Sequence, residues 1–217
     1  INRSTGSFSV EDGSIRYGMA AVKGIGKPVM EAIVEERERG GLFSSLKDFC
    51  RRLSGKEVNK RTIENFIKAG AFDSFGGTRK QFMMIYVQVM DTVNQEKKSS
   101  MTGQMSLFDI MGEEDKKSFE IRLPDVGEYA KESKLAFEKE VLGVYISGHP
   151  LEEYADVWKK NITAATSDFY PMEESGLPKV RDGAKVIVGG MITESYGIYH
   201  TGRSGGNGGS SCISKRL

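Results

Sequence analysis

Two glycines, Gly24 and Gly26, flank a single isoleucine in "KGIGKP", with Lys23 and Lys27 on either side and Pro28 behind. Glycine reaches backbone angles closed to other residues, and without a Cβ it lets the main chain come close to a bulky ligand. The N–H groups of such a turn, joined by those of a helix beginning at Pro28, make an anion site, and lysines add charge to it. The chemistry indicated is phosphate binding. A nucleotide P-loop needs G-x-x-x-x-G-K-[ST]. Here Ala21 stands where the first glycine belongs and Pro28 replaces the magnesium-holding Ser/Thr, so a P-loop is excluded. A helix-hairpin-helix fits. A short helix over about Ile15–Val22 would lead through Lys23, Gly24, Ile25 and Gly26 into a second helix from Pro28, with Ile25 anchoring the hairpin in the core. The glycines would admit a DNA phosphate, and Lys23 and Lys27 would supply charge without reading sequence. Taken alone, the motif is also compatible with an ordinary helical turn.

A second unit, "NKRTIENFIKAGAFDSFGGTRKQF", again reads helix, Gly-containing turn, helix, with Lys60, Arg61, Lys68, Arg79 and Lys80 around its ends. Asp73 sits where a phosphate would approach, which favours a structural role for this copy. Other reactive groups carry less. Cys50 and Cys212 are far apart and lack metal-site spacing, as expected of free thiols in a reducing cytosol. Glu113, Glu114 and Asp115 stand beside Lys116 and Lys117 in a polar stretch and read as a solvated charge run, not a metal site. His149 in "GHP" has no nucleophile or carboxylate partner in view and reads as part of a turn.

These residues must be positioned by a mainly α-helical protein. The chain has 217 residues, 38% of them hydrophobic and 28% charged, with a net charge of +1. That suits globular domains with a real core, and it requires any nucleic-acid affinity to come from local basic patches. No apolar run approaches the roughly 18 residues a membrane helix needs, and no signal peptide is visible. "GSFSVEDGSIRYG" alternates as a β-hairpin about Asp12-Gly13, with Phe8 and Val10 answering Ile15 and Tyr17. The helix from Pro28 buries Val29, Ala32 and Ile33 and ends at Gly40-Gly41. Ser44 opens a short helix with Leu46, Phe49 and Leu53 inward, and Asn59 caps one carrying Ile63, Phe66 and Ile67. Thr78 caps a longer helix whose stripe Phe82, Ile85, Tyr86, Val89, Met90, Val93 is the clearest periodicity in the chain. From Asn94 to Glu128 the pattern dissolves into a polar linker around the apolar island "QMSLFDI". A helix resumes near Ala130 with Phe137, Val141, Val144 and Tyr145 aligned, "SGHP" stops it, and Pro150 starts another through Trp158. "GAKVIVGGMIT" alternates like a strand about Val186 and Val188, and the tail "TGRSGGNGGSSCISKRL" signals only flexibility.

Five segments together resemble the C-terminal part of the C-family bacterial replicative DNA polymerases, the polymerase III alpha subunits. They are "SIRYGMAAVKGIGKPVMEAIVEER", "LFSSLKDFCRRL", "VNKRTIENFIKAGAFDSFGGTR", "GQMSLFDI" and, most specifically, "KLAFEKEVLGVYISGHPLEEY". The resemblance runs from about Ile1 to Thr193 and implies a layout. Residues 1–17 would end the fingers region, and 18–95 would be a tandem helix-hairpin-helix module on duplex DNA, with contacts from Lys23, Gly24, Ile25, Gly26, Lys27, Lys60, Arg61, Arg79 and Lys80. Residues 96–128 would be a linker presenting Gln104, Met105, Ser106, Leu107 and Phe108 to a ring-shaped β sliding clamp. Residues 129–178 would be a helical connector, and 179–217 the start of an incomplete OB-fold and a tail. It further implies template-directed DNA synthesis by the parent protein, other replicase subunits as partners, no membrane, and a cytoplasmic, nucleoid-associated setting at the replication fork. The family's catalytic carboxylates hold two Mg2+ ions in a palm upstream, so no catalytic residue, metal or cofactor is expected in this stretch. The alternative is a stand-alone helix-hairpin-helix protein of repair or recombination, which would lack "QMSLF" and "SGHPLEEY". A glycosylase of this type would place a catalytic Asp shortly after the hairpin, and none occurs before Asp48.

Overall fold

In the computed structural model the described residues are 1–55, 58–102, 121–173, 176–191, 195–198 and 212–215. They form two compact units, Ile1–His149 and Pro150–Leu217.

The first unit opens with strands β1 (Ser9–Glu11) and β2 (Ser14–Arg16), antiparallel with Val10 opposite Ile15. Asp12 and Gly13 both take positive φ, 50° and 72°, as the tight two-residue turn demands. Four helices follow: α1 (Lys27–Gly40), α2 (Leu46–Arg52), α3 (Lys60–Lys68) and α4 (Arg79–Thr102). Their starts are written in the sequence. The Ser45 hydroxyl accepts from the Asp48 N–H at 3.1 Å, and the Asn59 carbonyl oxygen from the Thr62 N–H at 3.0 Å. Thr78 and Gln81 form a reciprocal capping box, with bonds of 2.9 and 3.2 Å. α2 and α3 both pack on α4. Their shared core is a cluster of edge-on aromatics, with Phe49 5.0 Å from Phe43 and 5.1 Å from Phe72 between ring centres. Phe43, Phe49, Phe66 and Phe72 are fully buried. Helix α5 (Lys131–Leu142) packs on α3.

The second unit holds a 3-10 turn (Glu152–Tyr154) running into α6 (Ala155–Asn161). Asp168 accepts from the Ala165 N–H at 2.9 Å and closes a further turn. Strands β3 (Ser195–Ile198) and β4 (Cys212–Lys215) pair antiparallel.

Five sequence expectations are corrected. The helix expected over Ile15–Val22 is strand β2 followed by one 3-10 turn, Met19–Ala21. The N–H groups of Met19 and Ala20 are taken by the carbonyls of Thr5 and Gly6 at 2.8 and 3.1 Å, which leaves no α-helical ladder. α4 continues through 94–102, where a linker was expected. Its Gln, Glu, Lys and Met residues favour helix without any apolar stripe, and Lys47 and Ser54 hold Glu96 and Lys97 at 3.0 Å each. α5 stops before "SGHP": Gly143 at φ 75° caps it, so Val144 and Tyr145 lie beyond the helix. Residues 185–188 alternate in burial, but 184–191 join no ladder among the described residues. Ile187 instead exchanges bonds with Thr163, at 3.0 Å to its backbone and 2.8 Å to its hydroxyl. The tail expected to be flexible carries β4. Among the described residues no helix is long and apolar enough to cross a membrane.

Candidate nucleic-acid interface

The segment 23–27 is held from behind and open in front. Val22 and Ile25 are buried, at 6% and 8% exposure, and root the turn in the core. Lys23, Gly24, Gly26 and Lys27 are exposed. Behind the turn, the Lys23 N–H donates to the Val141 carbonyl of α5 at 2.8 Å. The Lys23 carbonyl accepts from the Asn65 side-chain amide of α3 at 2.7 Å. The Ile25 N–H closes the turn onto the Val22 carbonyl at 3.1 Å. Gly24 sits at φ 77°, where an L side chain is strained, and an added Cβ would meet the Asn65 amide nitrogen at 3.0 Å. Gly26 is the N-cap of α1 and has room for a Cβ, the nearest atom being Pro28 Cδ at 3.6 Å. Its lack of a side chain is therefore no demand of the fold.

The helix starts differ in a way that bears on anions. α2 and α3 are capped by Ser45 and Asn59. α4 is doubly closed: besides the Thr78–Gln81 box, the N–H groups of Arg79 and Lys80 both donate to the Glu128 carboxylate at 3.2 Å. Partial loss of solvent opposes ionisation of the still exposed Glu128, but the N–H groups of Tyr129, Arg79 and Lys80 outweigh it and hold the carboxyl below its usual range. A carboxylate of the chain itself thus occupies the place a phosphate would take at the second hairpin. α1 alone of these four has no side-chain cap among the described residues. The positive dipole end of this helix thus begins at exposed Gly26, beside exposed Lys23 and Lys27. Among the described residues Lys27 makes an exposed pairing with Glu31, at 3.4 Å.

The remaining basic residues divide. Arg61 is exposed one turn before Asn65 on α3, roughly 6 Å away between Cβ atoms by helix geometry. Lys60 is exposed and pairs with Asp91 at 3.0 Å. Lys80 is half-buried. Lys68 lies between Glu64 and Glu140, each at 3.0 Å, which neutralises it. Arg79, expected to meet DNA, is 5% exposed and faces inward, with Asp73 and Glu138 each at 2.9 Å. Its guanidinium ties α4 to α5 and to the turn after α3, so it is removed from the phosphate-facing set.

Glu138 is the residue the sequence reading missed. It is fully buried and accepts from Arg79, from the N–H groups of Ile146 and Ser147 at 2.7 and 2.8 Å, and from the Ser147 hydroxyl. Burial pushes its carboxyl up, yet the Ser147 hydroxyl and N–H, the Ile146 N–H and Arg79 together bring it below the usual range. The end of α5 is thereby fixed where Val141 meets Lys23 and where the Leu142 carbonyl accepts from the Tyr17 hydroxyl at 2.6 Å. This is the physical content of the "EKEVLG…SGHP" signature. The one sequence cue was a glutamate on the helix face shared with Leu135 and Val141.

Gln104, Met105, Ser106, Leu107 and Phe108 lie outside the described residues, as do Glu113, Glu114 and Asp115. Among the described residues no three His, Cys, Asp or Glu side chains gather to hold a metal ion. Cys50 is buried, which pushes its thiol up to about 12 and leaves it unreactive.

A family model described as the helix-hairpin-helix motif matches residues 1–82, from the β-hairpin into the first turn of α4. The chain is 39% identical over 154 residues, 71% of its length, to a DNA polymerase III subunit alpha of Borreliella burgdorferi. It is 38% identical over 193 residues, 88% of its length, to that of Vibrio cholerae, and 32% identical over 194 residues to that of Escherichia coli. These alignments cover 13%, 16% and 16% of the relatives, so the chain spans only a small part of their length. The signature segments, the helix-hairpin-helix match and these identities agree, and the chain belongs to the DNA polymerase III alpha subunit family, of which it represents one helix-hairpin-helix-bearing segment.

Proposed function

We propose that this chain is a duplex-gripping, non-catalytic part of a replicative DNA polymerase. It holds the DNA backbone at the hairpin 23–27 while nucleotidyl transfer takes place in another part of the same polypeptide. The observation that carries the reading is the contrast between helix starts: α2, α3 and α4 are capped from within the chain, and α1 is left open between two exposed lysines. Phosphate contacts of this kind position a protein on DNA without reading bases. Lys60, Arg61 and Lys80 extend the basic surface, and the second hairpin serves as the scaffold that aims the first. Around this module we place the end of the fingers in 1–17, a clamp-binding linker in 96–128 with Gln104 to Phe108 as its motif, a connector in 129–178, and the beginning of an OB-fold in 179–217. The partners are duplex DNA, a sliding clamp and other replicase subunits at a cytoplasmic replication fork. The β3–β4 pair suits the OB-fold assignment and is also what any small hairpin would give.

The test is a fluorescence-anisotropy titration of the 217-residue chain with two blunt duplexes of unrelated sequence, repeated over a range of salt. Equal affinities that fall together with salt support the reading. No binding at low salt, or a marked preference for one duplex, defeats it.

A further inference from the structure

We propose that Asn65 is a positioning residue for DNA binding: by holding the Lys23 carbonyl inward, it aims the N–H of Gly24 outward at a backbone phosphate. The inference rests on the reading of 23–27 as the DNA grip and goes beyond it by assigning how one buried side chain sets the grip's geometry.

A trans peptide is planar, and its C=O and N–H point in opposite directions. No peptide bond among the described residues is cis. The Lys23 carbonyl and the Gly24 N–H belong to one such group. Asn65, at 7% exposure on α3, donates its side-chain amide to that carbonyl at 2.7 Å. The carbonyl therefore faces the protein and the Gly24 N–H faces away from it, at an exposed residue. The next peptide is turned the other way, because the Ile25 N–H is spent on the Val22 carbonyl at 3.1 Å. Lys23 is fixed from its other side by Val141, at 2.8 Å, so the peptide cannot swing without breaking a bond to α3 or α5. Gly24 is in the left-handed region at φ 77°, and a Cβ there would press on the Asn65 amide nitrogen at 3.0 Å. The glycine and the asparagine are thus one device: the glycine permits the peptide orientation, and the asparagine selects it.

Phosphate contacts by neutral N–H groups and by lysines differ in one measurable respect. A lysine releases counterions on binding and contributes to the slope of log K against log salt, whereas a neutral donor does not. Asn65→Leu removes the donor with little change in size. In the titration above it lowers affinity about ten-fold or more at every salt concentration, with the slope unchanged. The control Lys23→Ala/Lys27→Ala lowers the slope by about two. A second measurement uses the unsubstituted chain and needs no variant to fold. In a 15N-resolved titration with a short duplex, the Gly24 amide proton moves downfield and the Ile25 amide proton stays near its starting position. Unchanged affinity in Asn65→Leu, or a slope reduced as in the lysine control, overturns the inference, and so does a Gly24 amide that does not respond to duplex. If the unsubstituted chain binds no duplex at all, the proposed function falls and the inference with it. If binding is lost in the lysine control but kept in Asn65→Leu, the inference alone fails.

Discussion

Arg79 and Glu138 meet at 2.9 Å although 59 residues separate them in sequence, and both are buried in the unit that carries the hairpin. The pair fastens the start of α4 to α5, whose last carbonyls hold Lys23 and Tyr17. Removing one partner from a buried ion pair costs about 3–5 kcal/mol, because the other charge is left uncompensated. Glu138→Ala is expected to destabilise the first unit by that order in urea unfolding, and Arg79→Met/Glu138→Leu to recover only part of the loss, since the Ile146 and Ser147 N–H groups still lack their acceptor. The pH dependence has a definite sign. The folded Glu138 carboxyl titrates below its usual range, so its contribution is complete above that range and is lost as pH falls through the depressed value. A first unit whose stability is flat from neutral pH down to well below the ordinary carboxylate range would contradict this.

Glu128 closes the N-terminus of α4 through the N–H groups of Arg79 and Lys80. The side chain is exposed, so Glu128→Ala should cost at most about 1 kcal/mol. The loss should shrink on acidification, since the carboxyl also titrates below its usual range and the interaction disappears once it is protonated. Thermal unfolding at two pH values measures it; an equal cost at both would place the effect elsewhere.

Much of this architecture was legible in the sequence, and the failures share a cause. The capping residues Asn59 and Thr78 and the stripe from Phe82 to Val93 are local signals, and those helices begin where they indicate, while the helix read from Ser44 is capped one residue later, by Ser45. The Asp12-Gly13 turn is equally local. Arg79 was read as a surface contact and Glu138 was passed over because a charged residue reads as solvent-facing until its partner is known, and the partner lies far along the chain. The helix expected before the hairpin fails for the same reason: Met19 and Ala20 spend their N–H groups on Thr5 and Gly6. At the candidate site, Gly24, Gly26 and the two lysines could be read from their spacing. Asn65 could not, since nothing in "TIENFIK" tells that one amide reaches a carbonyl 42 residues earlier.

The segment Gln104 to Phe108 provides an amide and two adjacent apolar anchors, a minimal set for docking in a clamp pocket. Burying Leu107 and Phe108 supplies about 1.5–3 kcal/mol each before ordering costs, which suits micromolar affinity. Calorimetric titration of the cognate clamp is expected to give binding with the chain and none with Leu107→Ala/Phe108→Ala. Equal heats from both would return these residues to the role of anchors for the linker.

Nucleotidyl transfer is expected to need a part of the polypeptide beyond these 217 residues. A primed template incubated with the purified chain, Mg2+ and the four nucleotides should show no extension. Extension that tracks the chain through purification would place catalytic groups here.

The most direct measurement of the central claim is a low-salt duplex titration of Gly24→Val/Gly26→Val beside the unsubstituted chain. Gly26 has room for a side chain within the fold, so an added one fills free space at the start of α1, whereas a Cβ on Gly24 sits at a strained φ and presses on the Asn65 amide that orients the Lys23–Gly24 peptide. The variant is expected to keep the circular-dichroism spectrum of the parent and to lose duplex binding. A folded variant that binds as tightly as the parent would show that the DNA backbone is held somewhere other than at residues 23–27.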